Sequence, residues 1–390
     1  MKSFPQHVSK FTELDVKGFR RLKEVKLPMR PLCVMIGANG VGKTSILDAL
    51  WLLANSAQGR LNDSISELGG LTSFLTYDWH RGLYLGNSMD VQGRELLKYS
   101  LELQPGGTGY SVASEELTQA RTNYPPNQPF THIMAKNSQI SYFDLESKLI
   151  RPTWEHNPLE SALSQVPKMF QEPETFRSRL ASSTFYHRLN VDARAPVRLP
   201  QQMRPAALPG RNGEDLVACL YTLRESERDR FEAIEDALRV AFPRFERLEF
   251  PPVAAGTIAL AWRDERYSKP LYMHQLSEGT LRFLWLATLL QSPGLTALTL
   301  LDEPEVSLHP ELLSILAELL REASARTQLV IATHSDRLIR FLRPEEVLCM
   351  DSDEGGSTQL TWGDKLNLGD WLKDYSLDEL WQMGQLGART

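Results

Sequence analysis

The stretch LCVMIGANGVGKT, residues 32–44, decides the fold of this chain. Its first five residues are continuously apolar, as expected of a strand that is buried on both faces. The next eight fit the pattern GxxxxGK[ST], in which backbone N–H groups wrap around phosphate oxygens. Residues 45–55, SILDALWLLAN, read as a helix whose positive N-terminal end adds to such a site. Strand, glycine loop and helix thus occur in the order of a phosphate-binding loop.

Side chains of this loop have predicted parts in binding a nucleotide. Lys43 can reach the β- and γ-phosphates, and the Thr44 hydroxyl can hold Mg²⁺. The predicted ATP-binding set is Gly37, Ala38, Asn39, Gly40, Val41, Gly42, Lys43, Thr44 and Ser45. The alternative is a glycine turn with a chance lysine, which the flanking strand and helix disfavour.

A second segment, LTLLDE at residues 298–303, leads from an apolar strand into two adjacent carboxylates. Strand ends deliver side chains to the edge of an open α/β sheet, where ligands bind. Asp302 is predicted to hold Mg²⁺ through water, and Glu303 to orient and polarise the attacking water molecule. An acidic pair after a strand is also a common solvated turn, so the assignment depends on its order and distance from the phosphate loop.

Two further segments carry candidate groups for binding an anion. LSEGT at 276–280 places a hydroxyl and a glycine at the start of a helix, which is an anion-binding end. In ATHS at 332–335, His334 follows an apolar strand, where it can contact the γ-phosphate and sense its presence. The alternatives are an ordinary helix cap at Ser277 and a structural role for His334.

Together these segments resemble the ABC-type ATPase superfamily, in its RecF, SMC and OLD-like branch. Their order is that of the family: Walker A at 37–44, signature at 276–280, Walker B at 298–303, D-loop at 305–310 and switch histidine at 334. DEPEVSLHP looks like the RecF-like ATPases and OLD-type proteins. FTELDVKGFRRLKEV is similar to the first hairpin of RecF and SMC heads, and YSLDELWQMGQLG resembles the tail of stand-alone bacterial ATPases.

The resemblance implies an α/β fold of the ABC head type, a P-loop NTPase with a mostly parallel core sheet and an N-terminal antiparallel subdomain. Residues 1–105 and 246–390 are predicted to be the two parts of this core. Proline and glutamine become frequent after residue 105, and TNYPPNQPF at 122–130 reads as an irregular loop. Residues 106–245 are therefore predicted to be an inserted lid, helical and irregular.

The resemblance also implies a head-to-tail dimer, or a higher oligomer built from it. The signature of one chain would close over the ATP and Mg²⁺ held by the Walker A loop of another. Ser277 and the N–H of Gly279 would touch the γ-phosphate in trans, with Glu278 between them. A triphosphate needs donors on several sides, which one chain supplies mainly on one face. Hydrolysis would weaken the dimer and make it a switch.

Three departures from the family's pattern stand out. The signature is LSEGT rather than LSGGQ, and a carboxylate at Glu278 is unfavourable beside a γ-phosphate unless it points away. The D-loop reads SLHP rather than SALD. ELGGLTSFL at 67–75, where a Q-loop glutamine is expected, contains none, so one contact to Mg²⁺ or water has no assigned residue.

The process that such a switch controls is less determined. Residues 175–212 contain seven arginines and one acid, with aromatic residues between them, a pattern typical of nucleic-acid surfaces. The candidate surface comprises Arg177, Arg179, Arg188, Arg194, Arg198 and Arg204. Alternatively, these arginines pair with the chain's own carboxylates.

Two roles therefore stay open. A RecF-like ATPase would act with DNA in repair or genome maintenance. An OLD-like ATPase would be the sensor of an antiphage or toxin system. Because about 55 residues follow His334, too few for a TOPRIM nuclease domain, its nuclease or effector would be a separate chain. A transporter subunit is disfavoured by the long insertion, the missing glutamine and the altered signature.

Composition favours a soluble cytoplasmic protein. The chain has 390 residues, 42% of them hydrophobic, which is typical of a globular protein with a sizeable core. The net charge of −6 means that any nucleic-acid surface is local. Cys33, Cys219 and Cys349 lie in apolar stretches without a CxxC pair, so neither zinc nor a disulfide is expected. No apolar run approaches the roughly 18 residues of a membrane span, and the start lacks a signal peptide's apolar core.

Overall fold

The computed structural model describes residues 9–91, 93–107, 109–120, 129–136, 139–143, 148–151, 155–295, 297–353, 355–369 and 371–387. Most of TNYPPNQPF, the predicted irregular loop, lies outside these residues. The strands are β1 Lys10–Phe19, β2 Leu22–Pro28, β3 Leu32–Ile36, β4 Leu83–Asp90, β5 Leu97–Gly106, β6 Gly109–Gln119, β7 Phe130–Lys136, β8 Gln139–Phe143, β9 Leu149–Ile150, β10 Thr184–Tyr186, β11 Gln201–Gln202, β12 Phe245–Glu249, β13 Pro252–Ala254, β14 Thr257–Ile258, β15 Ala261–Asp264, β16 Leu271–Tyr272, β17 Leu298–Asp302, β18 Gln328–Ala332, β19 Val347–Ser352 and β20 Thr358–Trp362.

A helix follows the glycine loop and another begins at the signature segment, both as predicted. The helices are α1 Lys43–Ala57, α2 Leu61–Glu67, α3 Leu71–Phe74, α4 Gln171–Ala181, α5 Leu216–Ser226, α6 Arg228–Ala241, α7 Glu278–Gln291, α8 Leu312–Ser324, α9 Asp336–Ile339 and α10 Leu377–Gln382. None of the helices in the described ranges is long and apolar enough to cross a membrane.

The central sheet has the order β10-β17-β18-β3-β19-β20 among the described residues, and every neighbouring pair is parallel except β19 with β20. All five residues of β3 are buried, because helices and strands cover both of its faces. Leu32, Val34 and Ile36 belong to one hydrophobic core, while Cys33 and Met35 point into the other. The continuous apolar run in the sequence is explained by this double burial.

The second large sheet is antiparallel, with the described order β2-β1-β4-β5-β6-β7-β8-β9. It begins with the predicted hairpin, in which Val16 of β1 stands opposite Val25 of β2. Its apolar face shares one core with α1 and α4, whereas helices α5 to α10 contribute to the core on the other side of the central sheet. The fold thus has the predicted parallel core and antiparallel subdomain.

The segment 106–245 is built differently from the predicted insertion. It supplies strands β6 to β9 of the antiparallel sheet, and β10, which pairs in parallel with β17 at the edge of the central sheet. Its helices α4, α5 and α6 also pack into the two main cores. The alternation in these strands is irregular: in β6, Tyr110 and Leu117 are buried while several residues between them are half-buried. Such a pattern lacks the continuous apolar run that identifies β3. The prediction of an irregular insertion rested on composition and therefore missed these strands.

Candidate nucleotide site

The carboxyl ends of four parallel strands meet at one edge of the central sheet. β3 leads into the glycine loop, β17 ends at Asp302, β18 leads to His334, and β10 ends beside β17. Their register aligns these ends, since Ala332 of β18 lies opposite both Met35 and Asp302. Ligands of open α/β sheets bind at this kind of edge.

The glycine loop is shaped to receive phosphate. Gly42 begins α1 with a φ of 115°, a left-handed conformation that glycine adopts without strain. Gly42 has no side chain to cap α1, so the first-turn N–H groups depend on another partner. Asn39, Gly40 and Thr44 are exposed, which leaves the loop and the Thr44 hydroxyl accessible to a ligand.

Lys43 is a buried cation in this loop. Its Nζ donates hydrogen bonds to the carbonyl oxygens of Gly37 at 2.5 Å and Ala38 at 3.0 Å. Burial lowers the pKa of Lys43 to about 8, although Glu303 and Asp302 act in the opposite direction. An amine that loses solvation in this way gains from an anionic ligand, and the site therefore suits a polyphosphate.

Glu303 has an unusual backbone conformation, with a φ of 48°. Its N–H donates to the carbonyl of Ala332 at 2.9 Å, and its own carbonyl accepts from the N–H of Val306 at 3.2 Å. Positive φ in a residue other than glycine is strained and requires such support. The turn directs the carboxylate toward the switch histidine, where its Oε1 lies 3.8 Å from Nε2 of His334.

His334 is partly covered, and burial, followed by the positive charge of Lys43, lowers its pKa. The imidazole is therefore neutral at neutral pH and presents one donor and one acceptor nitrogen. Lys43, Asp302, Glu303 and His334 thus act on one another electrostatically within one site. That is the grouping expected from the sequence.

Glu305, the first residue of the predicted D-loop, is a positioning residue for which the sequence predicted no individual role. It is buried, and its Oε1 accepts hydrogen bonds from the Thr333 hydroxyl at 2.5 Å and from the His334 N–H at 3.3 Å. Burial raises the pKa of its carboxyl. Because Glu305 comes two residues after Glu303, this contact ties the Walker B turn to the loop that carries the histidine. A third carboxylate in the sequence DEPE was the available signal.

The signature lies at the start of α7. Ser277 is exposed, and its Oγ accepts a hydrogen bond from the N–H of Thr280 at 3.2 Å, as in an ordinary helix cap. Ser277 and Thr280 also line a cleft of about 400 Å³ with Phe242 and Arg244. The exposed hydroxyl is thus open to another molecule.

Glu278 is directed to a neutralising cluster. Its Oε1 accepts hydrogen bonds from the Ser307 hydroxyl at 2.8 Å and from Nε of Arg282 at 3.0 Å, and Arg188 lies 3.7 Å away. Ser307, Arg282 and Arg188 lower the pKa of the Glu278 carboxyl. One carboxylate between two guanidinium groups leaves the cluster net positive. The extra acid of this signature is therefore compatible with an approaching phosphate.

A divalent metal ion would need the nucleotide to complete its ligands. The described residues include no cluster of three or more histidine, cysteine, aspartate or glutamate side chains able to hold a metal. The Thr44 hydroxyl and the Asp302 carboxylate supply hard oxygen donors, and Mg²⁺ in proteins commonly combines one or two such groups with phosphate oxygens and water. The donor set fits a metal that arrives with ATP.

Several members of the predicted arginine surface have carboxylate partners within the chain. Arg177 forms hydrogen-bonded ion pairs with Glu174, and Arg204 does so with Asp215. Paired arginines are less available to a phosphate backbone because their charge is already balanced.

Arg198 has a different role again, since its guanidinium donates to backbone carbonyls, among them those of Val191 and Leu276. It therefore braces the loop that leads to the signature. Arg179 is partly buried, and burial lowers its pKa. Arg194 is exposed. The arginines of α4 thus lie on a helix that packs beside α1, whereas Arg198 lies beside the signature.

Comparison with known proteins identifies the family. The family described as "AAA domain, putative AbiEii toxin, Type IV TA system" matches residues 32–340. The chain belongs to this family. The matched range contains the glycine loop, the signature, the Walker B carboxylates and His334, so family membership and site geometry concern the same residues.

Two curated relatives are similar over parts of their length. An OLD nuclease of Thermus scotoductus is 25% identical over 174 residues, 42% of this chain and 32% of the relative. The DNA replication and repair protein RecF of Natranaerobius thermophilus is 29% identical over 117 residues, 29% of this chain and 28% of the relative. The chain thus spans about a third of the length of the curated relatives it matches.

A solved structure shows the same fold. The Smc head domain with an extended coiled coil, bound to the C-terminal domain of ScpA from Pyrococcus furiosus, aligns with a TM-score of 0.51 and 14% identity. The alignment covers 94% of this chain and 98% of that one. Together these results place this member of the AAA family among the ABC-type ATPases of the RecF, SMC and OLD-like branch, as the sequence predicted.

Proposed function

We propose that the chain binds and hydrolyses ATP with Mg²⁺, and that ATP closes a head-to-tail dimer of two copies. The single observation that carries this proposal is the grouping of Lys43, Asp302, Glu303 and His334 at one sheet edge. In this proposal Lys43 and the loop amides hold the phosphates, and Thr44 and Asp302 hold the metal. Glu303 orients and polarises water, and His334 contacts the γ-phosphate.

The exposed signature at the start of α7 supports the proposed dimer. Ser277 is exposed at a helix start, and a helix start offers N–H groups to an anion. Glu278, the one acid beside it, is already bonded to Ser307 and Arg282. A second copy's Ser277 and Gly279 would thus approach a triphosphate without unbalanced like charge. ATP would join the copies, and loss of the γ-phosphate would release them.

Two substitutions test the proposal in the full chain. Lys43→Ala should weaken ATP binding at least about tenfold, since a charge-assisted bond to phosphate is lost. Glu303→Gln should keep ATP binding, lower turnover at least about a hundredfold, and trap the dimer. Nucleotide binding, phosphate release and mass with and without ATP give the three measurements.

Matched controls use exposed residues of the same types. Lys136, whose side chain is 63% exposed, is changed to alanine, and the exposed Glu67 to glutamine. Both variants should behave as the unmodified chain. Unchanged turnover in Glu303→Gln would remove the assigned role of that carboxylate, and a mass that ATP never alters would remove the dimer.

We further propose that this switch serves a DNA-linked process such as repair or genome maintenance. The similarity to RecF supports this role, while the paired arginines reduce the basic surface available for it. Duplex and single-stranded DNA should bind at low salt or change the ATPase rate, with affinity falling as salt rises. If DNA neither binds nor changes the ATPase rate, at low salt or at high salt, the result would contradict this role.

A second candidate is a sensor ATPase of an antiphage or toxin system that acts with a separate nuclease or effector chain. The family's description names a putative toxin, and one relative is an OLD nuclease. Purification with the products of neighbouring genes, followed by mass measurement with and without ATP, tests it. An ATP-dependent complex with a nuclease supports this role, and purification of this chain alone counts against it.

A further inference from the structure

His187 occupies the fourth strand end of the nucleotide site. It directly follows β10, and the parallel register of Tyr186 with Leu301 sets His187 beside Asp302. In the sequence, His187 is one of the aromatic residues between the arginines of residues 175–212. Its placement at the strand end, where the other candidate site residues lie, came only with the structure.

The imidazole faces the predicted metal-binding carboxylate. Nδ1 of His187 lies 3.9 Å from Oδ2 of Asp302, and the His187 side chain is 64% exposed. Its ring packs against Phe185 with centroids 4.0 Å apart, which limits its rotation. The charges of His187 and Asp302 both influence the pKa of Asp48, but Asp48 forms an ion pair with Arg20. Asp48 is therefore engaged, whereas the imidazole nitrogen is open to a ligand.

The separation of the two groups is informative. At 3.9 Å, Nδ1 of His187 and Oδ2 of Asp302 are too far apart for a hydrogen bond. Two ligands about 2.1 Å from one ion lie between about 3.0 and 4.2 Å apart, depending on the angle between them. The observed gap has the size that one metal ion, or one water molecule, can bridge.

We propose that His187 is a nitrogen ligand of the divalent metal ion that binds together with ATP, beside Thr44 and Asp302. This inference rests on the proposed nucleotide-binding function. His187 would supply the contact to the metal ion that a Q-loop glutamine was expected to make. Within the described ranges no cluster of histidine, cysteine, aspartate or glutamate side chains can hold a metal by itself, so in this proposal the phosphates complete the set of metal ligands.

An imidazole in this position has a consequence for metal selection. Carboxylate, hydroxyl and water oxygens suit Mg²⁺ and Mn²⁺, whereas imidazole nitrogen favours transition metals. The chain should therefore bind ATP more tightly with Mn²⁺ than with Mg²⁺, and His187→Gln should reduce this preference at least about tenfold. An amide oxygen can keep a metal in place but does not supply the nitrogen.

The test uses the full chain with Glu303→Gln, which retains ATP. Pulsed electron paramagnetic resonance of the Mn²⁺–ATP complex should show the nitrogen coupling of a bound imidazole. That coupling should disappear in His187→Gln and persist in the control His80→Gln, since His80 is exposed outside the site. Fluorescent ATP binding, titrated with Mn²⁺ and with Mg²⁺, gives the metal preference of each variant independently.

The outcomes separate this inference from the function on which it rests. If His187→Gln binds ATP and shows the same nitrogen coupling and the same metal preference as the chain with His187, then His187 is not a metal ligand. In that case the proposed ATPase function is unaffected. If the Glu303→Gln chain binds no ATP with either metal, the proposed function itself fails. Coupling that is lost equally in the His80→Gln control would also overturn the assignment.

Discussion

Gly279 allows the segment after Glu303 to pass against the start of α7. A Cβ atom at Gly279 would lie 2.7 Å from the carbonyl oxygen of Ser307, closer than van der Waals contact permits. The Ser307 hydroxyl meanwhile bonds to Glu278 at 2.8 Å. Two adjacent signature residues therefore hold one loop, and the glycine has a packing reason besides any contact with phosphate.

Gly279→Ala should separate nucleotide binding from turnover. The added methyl group forces Ser307 and the signature apart, so we expect unchanged ATP affinity and a turnover at least about tenfold lower. Binding of fluorescent ATP and phosphate release measure the two effects. Gly109→Ala is the matched control, because a Cβ there meets nothing within 4 Å. If Gly279→Ala lowered ATP affinity as much as turnover, Gly279 would not act only in the assembled dimer site.

Among the elements, the antiparallel sheet contains a buried acid that anchors the segment after it. Glu115 of β6 accepts hydrogen bonds from the Tyr99 hydroxyl and from the N–H groups of Ala162 and Leu163, at 3.0, 2.6 and 2.8 Å. Burial raises the pKa of Glu115 to about 7 despite these three donors. The attachment of residues 161–163 to the sheet thus depends on a titratable group.

The stability of this attachment should depend on pH. Between about pH 4.5 and 7 the folded chain holds a proton on Glu115 that the unfolded chain has lost, so the free energy of unfolding falls as pH rises through this range. The effect is on the order of 3 kcal/mol. Denaturant unfolding at several pH values should show a flatter profile for Glu115→Gln. Glu116→Gln, on the neighbouring residue, should keep the original slope, and two identical profiles would contradict the prediction.

At the scale of the whole molecule, two hydrophobic cores share the central sheet, and α7 contributes to the core that faces away from α1. The signature and the glycine loop therefore belong to different layers of one fold. In the proposed dimer each site takes its loop from one chain and its signature from the other. Two copies related by a twofold axis would then form two equal sites.

Mixing two inactive variants tests this arrangement. Lys43→Ala removes the loop function and keeps the signature, whereas Ser277→Arg obstructs the signature and keeps the loop. An equal mixture should recover about a quarter of the original ATPase rate, because half of randomly formed dimers are mixed and hold one complete site. Each variant alone should stay inactive. If the mixture stays inactive although the Ser277→Arg chain still binds ATP, the result would mean that each site is formed by a single chain.

The sequence by itself determined the parts of the molecule whose signal is local. β3 has the predicted bounds, and Ser277 caps α7, which was the alternative to its predicted phosphate contact, because burial on both faces and helix capping leave direct traces in residue type. The glycine loop and the acidic pair were also readable, since spacing along the chain is part of their chemistry.

Only the tertiary structure decided which distant residues meet. The pairing of β10 with β17 sets His187 beside Asp302, and only the structure shows that Arg198 donates to backbone carbonyls and that Arg204 pairs with Asp215. The strands of 106–150 became recognisable through their neighbours in the antiparallel sheet. Long-range pairing depends on which surfaces pack together, and half-buried strands and charged side chains do not specify their partners through local pattern.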